Sequence, residues 1–315
     1  MPGAAPGRSE AIPEKTFDPR RFVNRDVERE LFEALLHVGD DARILAIQDG
    51  SGMGKSYLLK LFRYRCRTGR PRTPVSLVDL KQLGDHSPMT FIKTVVQDLT
   101  SFGLEFPNFA RYERARVAAD FLPFHASASL QGASFVESKD IRISAMMLEV
   151  RTAEVVQVAP GGVCLTEEKD RTAQEVCVRA FFDDMQACGP TDQPVVILMD
   201  SFEKCGEPLR DWLYTHFLEW AFFDPARRPP RLLLVVAGWE VPHFDLYWSL
   251  EACEQMVRSV RGLDRWTRHH IEECLRLHDL PYEERDVDAF YRLVEVGYTP
   301  LQVVTMMQNH PRKQR

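Results

Sequence analysis

The chain has 315 residues, a net charge of -6 and an ordinary apolar share of 44%. That length holds about two domains, or one large domain with a satellite. It contains no run of ~18 or more apolar residues, so no membrane-spanning helix is expected, and the acidic balance argues against a general nucleic-acid coat. The seven cysteines are an odd number without a Cys-x-x-Cys pair, which fits reduced thiols in a cytoplasmic protein better than a disulfide frame or a zinc site.

Residues 1–16 are rich in Pro, Gly and Ala and lack a signal peptide's apolar core, so a disordered tail is expected. Asn24 reads as the N-cap of a helix running to about Val38, with Val27, Leu31, Leu35 and Leu36 on its apolar face. Ile44–Ile47 is a short apolar run, which predicts a buried strand. The turn Asp49–Gly54 follows, then a helix from Lys55 to about Arg65. Pro74–Leu80 predicts a second strand and Met89–Phe102 a helix. Residues from about 107 to 163 read as an insertion with some β-structure around Ile141, Ile143, Met146, Leu148 and Val150. A helix through Ala173, Val176 and Phe181 ends near Cys188. The runs Val195–Met199 and Leu232–Ala237 are continuously apolar, as in a parallel sheet covered on both faces. The last ~55 residues read as helical.

The segment from Asp49 to Ser56 nearly matches the P-loop pattern. Backbone N–H groups that converge on phosphate oxygens need positions without side chains, which Gly50, Gly52 and Gly54 supply. The following helix adds its N-terminal dipole. Ser51, Met53 and Tyr57 complete the candidate binding segment. Lys55 is placed to reach the β- and γ-phosphates, and Ser56 to give its hydroxyl to Mg²⁺. Asp49 stands where the pattern has Gly. Its carboxylate repels a triphosphate unless it points away, and Gly50 can take the turn instead.

The strand Val195–Met199 ends in Asp200, and an acid at the carboxyl end of a parallel strand points into the ligand crevice. Asp200 is the candidate metal ligand; a turn or N-cap Asp is the plainer reading. Glu203 is placed to polarise an attacking water, against the reading of a solvated loop acid. The run Leu232–Ala237 ends in Gly238-Trp239, so its tip offers an aromatic ring and no cation. Packing is at least as good an account of Trp239 as function.

Together these segments resemble the STAND class of ATPases, the signalling relatives of AAA+ proteins that include NACHT and NB-ARC modules. Phe22-Val23-Asn24-Arg25-Asp26 is similar to the family's entry motif, which lies against adenine and ribose, so the resemblance assigns Val23 and Arg25 to the nucleotide. Ile47–Ser56 is similar to Walker A and Asp200–Lys204 to Walker B. Gly297-Tyr298-Thr299-Pro300-Leu301 resembles the Gly-x-Pro-Leu motif of the helical lid, with one extra residue, and implies that Pro300 packs on the base. Family members often carry Arg where this chain has Trp239.

The expected architecture is thus α/β: a P-loop NTPase domain over 17–262, with its parallel sheet sandwiched by helices, and a small helical lid over 263–315. The resemblance implies ATP/ADP and Mg²⁺ as cofactors and slow hydrolysis, with Lys55 and Glu203 as the catalytic pair. It also implies self-association in the ATP state and a protein partner or trigger in bacterial signalling or defence. A P-loop small-molecule kinase and a static ATP-binding scaffold are the alternatives. The cluster Arg63, Arg65, Arg67, Arg70 and Arg72 reads as a solvated helix end rather than a nucleic-acid surface. His269-His270 suits a surface or capping role, since adjacent helical residues do not share a face.

Overall fold

The computed structural model describes residues 17–37, 42–114, 167–188, 194–224 and 228–309. The expected β-structure of the insertion, around Ile141 to Val150, lies outside these residues, as do the amino-terminal tail and residues 310–315. Five strands form one sheet: β1 (Ile44–Gln48), β2 (Val75–Asp79), β3 (Val195–Asp200), β4 (Leu232–Gly238) and β5 (Val257–Arg261), in the order β2-β3-β4-β1-β5. The pairings of β1 with β4 and β5, and of β2 with β3, are parallel. With its flanking helices this is the parallel α/β fold of P-loop NTPases. Every residue of β3 and β4 is buried, which explains why both read as unbroken apolar runs. No described helix is long and apolar enough to cross a membrane.

The described residues fall into two compact units. The first draws on residues 1–81, 196–204 and 233–315, the second on 82–195 and 205–232. In the first, helix α1 (Asp26–Leu36) and helix α2 (Lys55–Thr68) pack through Phe32 and Phe62, whose rings stack with centroids 4.0 Å apart. The N-terminus of α1 differs from expectation. Arg25, not Asn24, is the N-cap, and both residues have positive φ. Asn24 spends its side-chain oxygen on the adjacent amide of Arg25, 2.6 Å away. Val27 is 56% exposed, while Glu28 and Phe32 are buried, so the inner face is turned by one position.

The second unit contains α3 (Pro88–Thr100), a helical stretch at 107–114, α4 (Glu167–Cys188) and α5 (Glu207–Trp212), which continues through two π-type turns to Phe223. Ser87 caps α3 by accepting from the amide of Thr90. An aromatic cluster fills the interior: Phe91 meets Trp212 and Phe217 edge-on, and Phe106 stacks on Phe181. Asp184 is only 1% exposed, yet its carboxylate accepts from the amides of Asn108 and Phe109 and from the Asn108 side chain. A buried charge is tolerated there because it meets the positive end of the 107–114 helix.

Three helices close the first unit: α7 (Arg268–Leu277), α8 (Glu284–Glu295) and α9 (Pro300–Asn309), preceded by a short α6 (Leu250–Met256). Their core joins Trp266, Ile271, Leu275, Val287, Phe290, Val294, Val303 and Met307 with Val23. The segment before α1 is therefore stitched into these helices through Val23. At the start of α7 the Thr267 hydroxyl accepts from the His270 amide, and His270 Nδ1 accepts from the Thr267 amide at 3.0 Å. The second bond needs an imidazole unprotonated at Nδ1. Burial, with the neighbouring charge of His269, lowers the His270 pKa; Glu273 and Asp26 oppose that and Arg25 adds to it. A folded-state pKa below the unfolded value means that the unfolded chain takes up the proton first, so stability falls as pH drops below about 6.5. Thermal melts between pH 7.5 and 5.5 should show this loss, and His270→Gln, which keeps an acceptor, should lessen it, leaving the share of His278, whose pKa burial also lowers. An equal slope in both proteins would exclude His270 as its source.

Candidate functional site

The loop between β1 and α2 runs along the carboxyl end of the sheet. Gly52 and Gly54 have φ of 80° and 95°, values that side chains on L-residues rarely allow. The turn is thus taken at these two residues and not at Gly50. Space around Gly50 and Gly54 is open, whereas a Cβ on Gly52 would strike the Thr299 hydroxyl at 2.7 Å. Lys55 is the first residue of α2, and its ammonium folds back to donate to the carbonyls of Asp49 at 2.7 Å and Gly50 at 2.6 Å. Burial lowers its pKa, opposed by the negative charges of Asp49, Glu203 and Asp200. Ser51 is exposed, and Tyr57 is half-exposed beside Phe17.

Asp49 engages both oxygens of its carboxylate with backbone amides. One oxygen accepts from the Gly50 amide at 2.6 Å, and the other accepts from the Leu263 amide at 2.7 Å. Both are charge-assisted bonds. Arg25 is 4% exposed and donates to the carbonyls of Met53 at 2.8 Å and Asp264 at 2.6 Å. Its guanidinium thus ties the P-loop to the segment leading into the lid.

Asp200 and Ser56 come together although 144 positions separate them: the Ser56 hydroxyl donates to the Asp200 carboxylate. Burial raises the Asp200 pKa, the Ser56 bond opposes it, and the like charge of Asp79 adds to the rise. Asp79 faces Asp200 in register at the end of β2. It was not singled out in the sequence, although Val75–Asp79 repeats the signature of β3, an apolar strand ending in an acid. A hydroxyl beside a single buried carboxylate is a hard oxygen donor set, which suits a Mg²⁺ that keeps its other positions for water and phosphate oxygens.

Strand β4 separates the P-loop strand from β3, so its tip lies between the two halves of the site. The Trp239 amide there donates to Glu203 Oε2 at 3.1 Å, and the Trp239 carbonyl accepts from the Gln48 side chain at 3.1 Å. The ring itself is 56% exposed, with the Lys204 ammonium above it at 5.4 Å. Trp239 therefore contributes its backbone to the site instead of packing its ring inside. Gly238 has no room for a side chain, because a Cβ would collide with the Glu240 carbonyl and come within 2.8 Å of Glu203 Oε2. Ser201, with φ of 58°, makes the sharp exit from β3 that brings Glu203 back to this tip.

Beside the loop is a cavity of about 300 Å³ lined by Asp49, Met53, Leu263, Arg265, Trp266 and Pro300 among others. Its size and mixed apolar lining suit a small planar ligand. Pro300 is buried at the first position of α9. Val23 packs in the lid core and is not among the lining residues. Leu263, Arg265 and Trp266 sit in the segment after β5, where no motif marks them; only the folded chain brings them to the cavity. Helix α9 also touches the loop, the Leu301 amide donating to the Gly52 carbonyl at 3.3 Å.

Among solved structures, the chain is similar to a Walker-type ATPase of Pyrococcus abyssi, at 16% identity and a TM-score of 0.46 over 93% of this chain and 68% of that one. It is similar to the ORC2 protein of Aeropyrum pernix in its ADP form, at 11% identity and a TM-score of 0.47, covering 95% of this chain and 64% of that chain. Domain III of the Thermotoga maritima replication initiation protein DnaA is similar at 10% identity and a TM-score of 0.37 over 96% and 99% of the two chains. No family model and no curated protein matches the sequence.

Proposed function

We propose that the chain is a cytoplasmic, Mg²⁺·ATP-binding switch of the STAND type, slowly hydrolysing and used in bacterial signalling or defence. The observation that carries this reading is the meeting of the lid with the phosphate loop. Pro300 lines the cavity, while Thr299 and Leu301, its neighbours, lie on Gly52. In this reading the base enters the cavity and the phosphates follow the loop from Gly50 to Ser56. One lid element then contacts both ends of the nucleotide, and a ligand that treats two lid positions differently shifts their balance.

Lys55, released from the Asp49 and Gly50 carbonyls, supplies a point charge to the β- and γ-phosphates. Ser56 and Asp200 would hold Mg²⁺, and its positive charge would offset the negative charge on the phosphates. A cation there would oppose the upward push of burial on Asp200. Glu203 orients water once its carboxylate engages a ligand instead of the Trp239 amide alone. The hold of that amide on Glu203 also favours a second reading, in which ATP binds without turnover and the protein is a scaffold.

Phosphate release and assembly size, followed together on purified protein with Mg²⁺·ATP, separate these readings. The switch gives slow release and a larger assembly with a non-hydrolysable ATP analogue than with ADP. Tight binding with neither effect leaves the scaffold.

A further inference from the structure

We propose that Asp49, where the P-loop pattern has glycine, is a positioning residue that holds the wall of the base cavity against the phosphate loop. The proposal rests on the nucleotide reading of the site and adds a role for a residue that the pattern would count as a defect.

The chain leaves β5 beside the end of β1, with the Gly262 amide donating to the Gln48 carbonyl at 2.9 Å. Gly262 then turns with φ of 78° and takes the chain out of the strand. The next amide, Leu263, is the one that Asp49 Oδ2 receives. Leu263 is 4% exposed and lines the cavity, as do Arg265 and Trp266 just after it. Between them, Asp264 gives its carbonyl to Arg25, whose other nitrogen binds the Met53 carbonyl of the loop. Two clips thus fasten this wall to the P-loop, one from Asp49 and one from Arg25.

A glycine at position 49 has no side-chain acceptor, so the part-buried Leu263 amide would lose its partner, and a donor left without one away from bulk water is costly. The carboxylate's charge is also compensated in place. Lys55 and Arg25 both feel it, and its two oxygens are already turned to amides. The usual objection to a carboxylate beside a triphosphate therefore loses much of its force here.

The test compares wild type, Asp49→Gly and Asp49→Asn. Hydrogen exchange of the nucleotide-free proteins reports the Leu263 amide, and calorimetry reports ADP affinity. Asp49→Gly, although it restores the P-loop pattern, should speed Leu263 exchange about tenfold or more and weaken ADP about tenfold, with exchange in β1 and β3 unchanged. Asp49→Asn keeps one acceptor oxygen and should fall between the two on both measures, a graded rescue that a misfolded variant would not give. Exchange at Leu263 that stays as in wild type overturns the proposal, and so does ADP binding in Asp49→Gly that is as tight as or tighter than wild type. If wild type itself binds no adenine nucleotide, the reading of the whole site fails; if it binds while Asp49→Gly is indistinguishable from it, only the role of Asp49 falls.

Discussion

Lys55→Ala should lower ATP affinity at least tenfold, or about 1.4 kcal/mol. The ammonium is half-buried at the start of α2, and burial lowers its pKa against the opposing charge of Asp49, Glu203 and Asp200. It now rests on the carbonyls of Asp49 and Gly50, which are replaceable partners: a phosphate is an anionic acceptor and forms the stronger bond. Removing it takes away a cation that binding would use and leaves two loop carbonyls to solvent. Circular dichroism should show the fold retained. Calorimetry that finds ATP bound equally well by the variant would exclude the P-loop as the phosphate site.

Glu203→Gln is expected to spare ATP binding and slow its cleavage by ~10²-fold or more. The amide keeps the shape of the side chain and an oxygen to accept from Trp239, so the tip of β4 should stay as it is. What is lost is the charge that would draw a proton from water. Asp200 behaves differently in principle, because it is buried against Ser56 and its loss should weaken Mg²⁺·ATP binding itself. Single-turnover hydrolysis beside light scattering, at saturating ATP, distinguishes the two. The variant should hold ATP and self-associate more than wild type. Equal hydrolysis by both would make Glu203 a loop acid and send the search for a base elsewhere.

The parts of this molecule that were legible in its sequence are those where one physical demand dominates a short segment. β1, β3 and β4 are buried along nearly their whole length, so they read as apolar runs up to their polar carboxyl ends. Gly52, Gly54, Lys55 and Ser56 stand in a pattern that phosphate chemistry dictates. β5 escaped because it is an edge strand, half-exposed, and its sequence Val-Arg-Ser-Val-Arg carries neither an apolar run nor a clean alternation. The first turn of α1 was misplaced because Asn24, a good cap by residue type, bonds to its neighbour and leaves Arg25 to enter the helix from the left-handed region. The cavity wall and the bond from Asp49 to Leu263 were not legible at all. They depend on residues 214 positions apart meeting, and no local pattern records such a meeting.

That separation bears on how the protein is made. Synthesis runs from the amino terminus, and domains tend to fold as their residues emerge. The phosphate loop leaves the ribosome early, but Asp49 must wait for Leu263, Arg25 for Asp264 and Gly52 for Leu301. Closing such long loops is slow compared with forming the helices that flank them. A nascent chain holding everything up to β4 would carry a complete glycine loop with none of these partners. Competence to hold a nucleotide would then wait for these later segments, and a ligand present during synthesis would meet a finished cradle only after the helix Pro300–Asn309 has emerged.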